Sequence, residues 1–149
     1  MSEIKQKLLS DMKSAMKSGE KKKLQTIRLM LAAVKQIEVD ERIEVSDERM
    51  LVVLDKLAKQ RKESISQFEK AGRDDLKEIE VFEHGIIAKY LPEPLSESEI
   101  AAQIEQAVTE SGASSMQDMG KVMAILKPKF QGRADMGAVS QLIKAKLAG

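Results

Sequence analysis

At 149 residues the chain is long enough for one domain or two small ones, and a chain of this size buries about two-thirds of its extended surface. Hydrophobic residues make up 42% and charged residues 33%, a globular composition with a heavily charged exterior. The net charge of +1 singles out no partner, 3% aromatics argues against an RNA reader built on base stacking, and the lack of cysteine excludes disulfides, thiol nucleophiles and Cys-ligated zinc.

The opening stretch MSEIKQKLLSDMKSAMKSGEKKK has no apolar h-region and does not read as a signal peptide. No apolar run approaches membrane-spanning length. A cysteine-free chain fits a reducing compartment, and the expected location is the cytoplasm.

Every long segment has helical rather than alternating periodicity. Ile4, Leu8, Met12 and Met16 recur at i+4 and predict a first helix that Gly19 can end. Leu24, Ile27, Leu31 and Val34 carry a second helix to about Ile37 or a little beyond. The stretch EVDERIEVSD reads as a charged connector in which a short strand stays open, because Val and Ile alternate with acids. Ser46 is a good N-cap, with Asp47 and Glu48 in the first turn where the helix dipole favours anions. The third helix carries Met50, Val53, Leu54, Leu57, Ile65 and Phe68 and stops near Gly72, and Asp74 is expected to cap a fourth bearing Leu76, Ile79, Phe82, Ile86, Ile87 and Tyr90.

LPEP, residues 91–94, is the clearest break, since two prolines in four residues end a helix and favour extended chain. Ser96 and Glu99 then form a capping-box pattern before a fifth helix that buries Ile100, Ile104, Ala107 and Val108 and ends at Gly112. Ser115 and Asp118 start a sixth, bearing Met119, Val122, Met123 and Leu126, which Pro128 should end or kink. Asp135 caps a seventh, with Val139, Leu142, Ile143 and Leu147 on one face. The reading is all-α: a domain of long helices over residues 1–92, then a small three-helix domain over 93–149, joined near Pro92.

The near-neutral total hides an uneven distribution. Residues 93–118 hold six acids and no base, whereas 119–149 hold six bases (Lys121, Lys127, Lys129, Arg133, Lys144 and Lys146) against Asp135 alone. LKPKFQGRADMG, residues 126–137, is the sharpest case: three cations surround Gly132 on a connection between helices. Gly132 permits a turn that brings Arg133 and the preceding amides close to a partner, and an anionic partner such as RNA phosphate suits the cations by backbone contact. The competing reading has the acidic segment fold back and neutralise this arm.

Other residues offer less. His84 is the only histidine, near Glu80 and Glu83; two residues on one helix make no metal site, so a solvated or capping role is expected, with no metal. Lys21, Lys22 and Lys23 sit at a helix start, where the dipole disfavours cations; they read as a solvated turn or as a phosphate contact. Arg28 lies beside the apolar stripe and is expected to be anchored there by an acid, while Lys59, Arg61 and Lys62 alternate with acids and read as a solvated face. There is no P-loop and no glycine-rich dinucleotide fingerprint, so no small-molecule cofactor is expected.

MGKVMAILKPKFQGRADMGAVSQLIKAKL (119–147) resembles the C-terminal motif of the GatB/YqeY family, which includes the tail domain of the B subunit of tRNA-dependent amidotransferases. LQTIRLMLAAVKQIEVDER, LAKQRKESISQFEKAGRDDL and YLPEPLSESEI resemble the free-standing YqeY-like proteins, so the resemblance spans nearly the whole chain. It implies a helical N-terminal bundle, a small helical tail, and tRNA contact by that tail. By position, the implied RNA-binding residues are Gly120, Lys121, Lys127, Lys129, Gly132 and Arg133, with Lys144 and Lys146 on the last helix. The kinase-like catalytic domain of the amidotransferase is absent, so amidation with glutamine as amido donor is not transferred and no catalytic residue is nominated. The expectation is a non-catalytic tRNA-associated module that docks on a translation or amidotransferase component; the alternative is a protein–protein adaptor whose basic arm is structural.

Overall fold

The computed structural model describes residues 2–148, which form seven α-helices and one 3-10 turn and, among the described residues, no strand. The contacts group into two compact units, Met1–Leu91 and Pro92–Gly149.

The first unit holds α1 (Glu3–Ser18), α2 (Lys21–Glu41), α3 (Asp47–Lys70) and α4 (Asp74–Ala88). The i+4 series of the sequence become its core: Leu8, Ile27, Met30, Val34, Met50, Leu54 and Ile87 are almost wholly buried, with Val45 from the α2–α3 connection. Short links force neighbouring helices together, so α1 packs along α2 and α3 along α4, and α2 also meets α4. Gly19 ends α1 at φ +74°, a left-handed conformation that costs a side-chain-bearing residue about 1 kcal/mol or more. Ser46 caps α3, its Oγ accepting from the Arg49 amide at 3.2 Å.

The second helix runs a little beyond Ile37, as expected, and takes up the first residues of the connector. α2 runs to Glu41 and stops at Arg42, at φ +55°, and no strand forms over 38–47. The reason is Glu38, whose carboxylate accepts from Lys5 Nζ at 2.8 Å and from the Val45 amide at 3.1 Å, holding the end of α2 against α1 and folding the connection back. At α4, Arg73 rather than Asp74 occupies the N-cap position and makes no side-chain cap; Asp74 and Asp75 lie in the first turn.

The second unit holds α5 (Glu97–Ser111), a 3-10 turn (Met116–Asp118), α6 (Met119–Phe130) and α7 (Met136–Ala148). Ser96 and Glu99 form the expected capping box, and Gly112 ends α5 at φ +68°. The Ser115–Asp118 pair caps the 3-10 turn, and α6 continues directly from it. Ile104, Val122, Leu126, Phe130, Val139 and Ile143 form the core.

Pro128 neither ends α6 nor displaces its last turn from the core: the helix runs on to Phe130. Proline withholds one amide from the helix ladder, so this last turn does without one hydrogen bond. Phe130 is the largest fully buried side chain, and its burial holds the last turn in place.

Candidate functional site

The basic segment that stood out in the sequence is a turn between two packed helices. Lys127 and Lys129 lie in the last turn of α6, where the helix dipole favours cations. Gln131, Gly132 and Arg133 then reverse the chain, with the Arg133 amide donating to the Phe130 carbonyl at 2.8 Å. Asp135 precedes α7, and its Oδ1 accepts from the Gly137 amide at 3.0 Å.

Gly132 adopts φ +76°, a left-handed conformation that favours glycine, so the turn it was expected to permit is formed. Its surface is buried, which removes it from the residues a partner could approach. Arg133 is half-buried and already engaged. Its Nε donates to the Glu93 carbonyl at 3.0 Å, and its own carbonyl accepts from the Leu95 amide at 2.9 Å, tying the turn to the segment before α5. The turn is therefore partly a clasp within this unit.

The acidic segment neutralises only some of the bases. Glu105 lies 3.8 Å from Lys146 and Asp118 lies 3.6 Å from Lys121, both at the surface, where such pairs contribute little. The Ser114 amide, then the Ser115 amide and Lys121, hold the Asp118 carboxyl below the usual carboxylate range. Lys127, Lys129 and Lys144 are exposed, and none meets a carboxylate among the described residues. The structure thus sets Lys127 and Lys129 on the last turn of α6, open to solvent, and Gly132 and Arg133 in the reversal that follows it.

In the first unit the roles of two arginines are exchanged relative to expectation. Arg28 is exposed, with no ion pair among the described residues. Arg61 is the anchored one: its Nε lies 2.6 Å from Glu83 Oε2 and 3.6 Å from Glu80 Oε2, linking α3 to α4 with side chains about one-fifth exposed or less. The charge alternation around Arg61 hid this, because pairing across helices depends on α3 and α4 lying side by side. His84 is half-buried, and burial first, then Lys62, lowers its pKa, so it is neutral near pH 7. No group of three or more His, Asp or Glu suited to a metal occurs among the described residues. No described helix is long and apolar enough to cross a membrane.

One contact had no signal in the sequence. Tyr90, at the end of the first unit, is buried and donates its hydroxyl to Asp11 Oδ2 at 2.5 Å, with Lys7 Nζ 5.6 Å from the ring centre.

Comparison with known proteins gives a family match over residues 5–147, to the model described as Yqey-like protein. Among curated proteins, the chain is 41% identical over 106 residues to "Altered inheritance of mitochondria protein 41, mitochondrial" of Lachancea thermotolerans, covering 69% of this chain and 57% of that protein. The protein of the same name from Eremothecium gossypii is 41% identical over 85 residues, 56% of this chain and 46% of its own length. That from Meyerozyma guilliermondii is 32% identical over 117 residues, 77% and 59% respectively. The chain spans about half the length of the curated relatives it matches. These relatives are named as mitochondrial proteins, which overturns the expectation of a cytoplasmic location. The lack of an apolar h-region bears on secretion alone, since organelle-targeting segments are amphipathic rather than apolar.

Proposed function

The chain belongs to the YqeY-like protein family, and we propose that it is a non-catalytic tRNA-associated module whose second unit grips RNA phosphates. The observation that carries this reading is the exposure of Lys127 and Lys129 on one turn with no carboxylate against either among the described residues. Two solvent-exposed ammonium groups without a carboxylate partner suit a polyanion, and the contact they can make is to phosphate rather than to base edges. Lys144 and Lys121 add to the same positive unit, while Arg133 and Gly132 shape the turn instead of touching RNA. The resemblance of residues 119–147 to the amidotransferase tail points to tRNA as the polyanion, and to a translation or amidotransferase component as the protein that the first unit serves. In this reading the two units act as separate domains.

The Arg133 clasp and the preference of a helix C-terminus for cations favour a second reading, in which the basic arm is structural and the protein is an adaptor.

The test is binding of the purified chain to bulk tRNA, with duplex DNA and heparin as controls, across a salt series. A preference for tRNA is expected, and Lys127→Ala/Lys129→Ala should reduce the slope of log affinity against log salt by roughly 1.5, at 0.7 to 0.9 per lost phosphate contact. Helicity and melting temperature should hold in that variant, because both side chains are exposed. Equal binding to all three polyanions, or a slope unchanged by the double substitution, overturns the reading.

A further inference from the structure

A second basic feature lies in the first unit. A cavity of about 460 Å³ is lined by Gly19, Glu20, Lys21, Lys22, Lys23, Phe82, Ile86 and Lys89. Four of these are lysines from two different helices, against the single carboxylate of Glu20, which accepts a hydrogen bond from Ser18 Oγ at 2.7 Å. One wall is aromatic: Phe82 is 41% exposed, although a ring of that size is ordinarily buried in the core. The volume lies within the range of small-ligand sites, roughly 300 to 1,000 Å³.

The local structure offers no internal reason for this charge. α2 has no side-chain cap and no acid in its first turn, unlike α1, α3 and α5, which have serine caps and acids there. The Lys21 amide donates to the Gly19 carbonyl and the Leu24 amide to Glu20, which leaves the Lys22 and Lys23 amides without a protein partner among the described residues. Three ammonium groups add to the positive end of a 21-residue helix, and Lys89 adds a fourth from the end of α4. The missing cap and the cations at the start of α2 oppose helix stability, whereas Lys89 stands at the C-terminal end of α4, where a cation is favoured. Such local violations are expected where a ligand compensates them.

We propose that this cavity binds a nucleotide phosphate, with Lys22, Lys23 and Lys89 and the free amides of α2 holding the phosphate and Phe82 supporting the base. Ionised phosphate supplies acceptors for both amide and ammonium donors. The exposed ring and Ile86 suit a planar body rather than a bare inorganic ion. The same chemistry is presented by a free nucleoside monophosphate and by the 5′-phosphorylated end of an RNA strand. The site is separate from the Lys127–Lys129 turn and does not depend on the function proposed for it.

The experiment is amide chemical-shift mapping on the full ¹⁵N-labelled chain. The probes are AMP, inorganic phosphate, and a short single-stranded RNA with either a 5′-phosphate or a 5′-hydroxyl. AMP is expected to shift the Lys22 and Lys23 amides and those around Phe82, and to bind at least about tenfold more weakly to Lys22→Ala/Lys23→Ala. Phe82→Ala should weaken AMP severalfold and leave inorganic phosphate unchanged, which separates a stacking wall from generic charge. Lys127→Ala/Lys129→Ala should leave all these shifts in place. A 5′-phosphorylated RNA that binds more than about tenfold tighter than both AMP and its 5′-hydroxyl counterpart would identify an RNA end as the ligand, and equal affinity with AMP a free nucleotide; either supports the site. Absence of shifts at these residues with every phosphate probe at 10 mM overturns it, as does an AMP affinity indifferent to both Lys22→Ala/Lys23→Ala and Phe82→Ala.

Discussion

Phe130 is the residue on which the second unit most depends, and Phe130→Ala tests that directly. The side chain is fully buried at the end of α6, among Val122, Leu126, Val139 and Ile143. Removing a buried phenylalanine side chain costs about 3 to 5 kcal/mol through lost transfer energy and the cavity left behind. A unit of roughly 60 residues carries about 3 to 9 kcal/mol in total at typical values per residue, so the loss consumes most of its stability. The last turn of α6 suffers doubly, because Pro128 has already removed one of its helical hydrogen bonds. Native-state hydrogen exchange reads the outcome locally. Protection of the amides of Val122, Leu126, Val139 and Ile143 should fall by roughly two to four orders of magnitude, at 1.4 kcal/mol per factor of ten. Protection at Leu54 and Ile87 in the first unit should be unchanged. Phe130→Leu, which keeps most of the volume, should lose far less. A loss below about 1 kcal/mol in Phe130→Ala, or an equal loss in both units, would refute the assignment of Phe130 as the local keystone of the second core.

Two further predictions concern pH. Burial first, then the hydrogen bond to Asp11, raises the Tyr90 pKa, so the folded value lies above the unfolded one of about 10; stability from this group is complete below pH 10 and is lost as pH rises toward the folded value. Tyr90→Phe should destabilise the first unit by about 1.5 to 3 kcal/mol at pH 7, as for a hydrogen bond to a charged group, and the variant's alkaline melting curves should be flatter than those of the parent chain; equal alkaline sensitivity in both would count against it. The hydrogen bond from Lys5, followed by that from the Val45 amide, lowers the Glu38 pKa, so its contribution is present above about pH 4.3 and disappears as pH falls through the folded value. Glu38→Gln should therefore lower the melting temperature at pH 7, with the difference from the parent chain shrinking toward pH 3; a difference independent of pH would show that shape rather than charge matters at that position.

Much of this protein was legible in its sequence because helices report themselves locally. The i+4 apolar series, the serine caps at Ser46 and Ser96 and the glycine stops at Gly19 and Gly112 act within one or two turns, and each has its expected effect in the structure. What holds the end of α2 was not legible, since Glu38 acts through Lys5, thirty-three residues earlier in the chain. Nor was the exchange between Arg28 and Arg61: which arginine is anchored depends on which helix faces it with acids, and that is a property of the α3–α4 packing. The basic turn shows the same division. Its cations and a glycine able to turn the chain could be read from LKPKFQGRADMG alone. Tertiary structure decided that Gly132 is buried, that Arg133 is held by Glu93, and that Lys127 and Lys129 remain in solvent. Backbone conformation answers to neighbours along the chain, whereas the work left for a charged side chain is set by what the fold places opposite it.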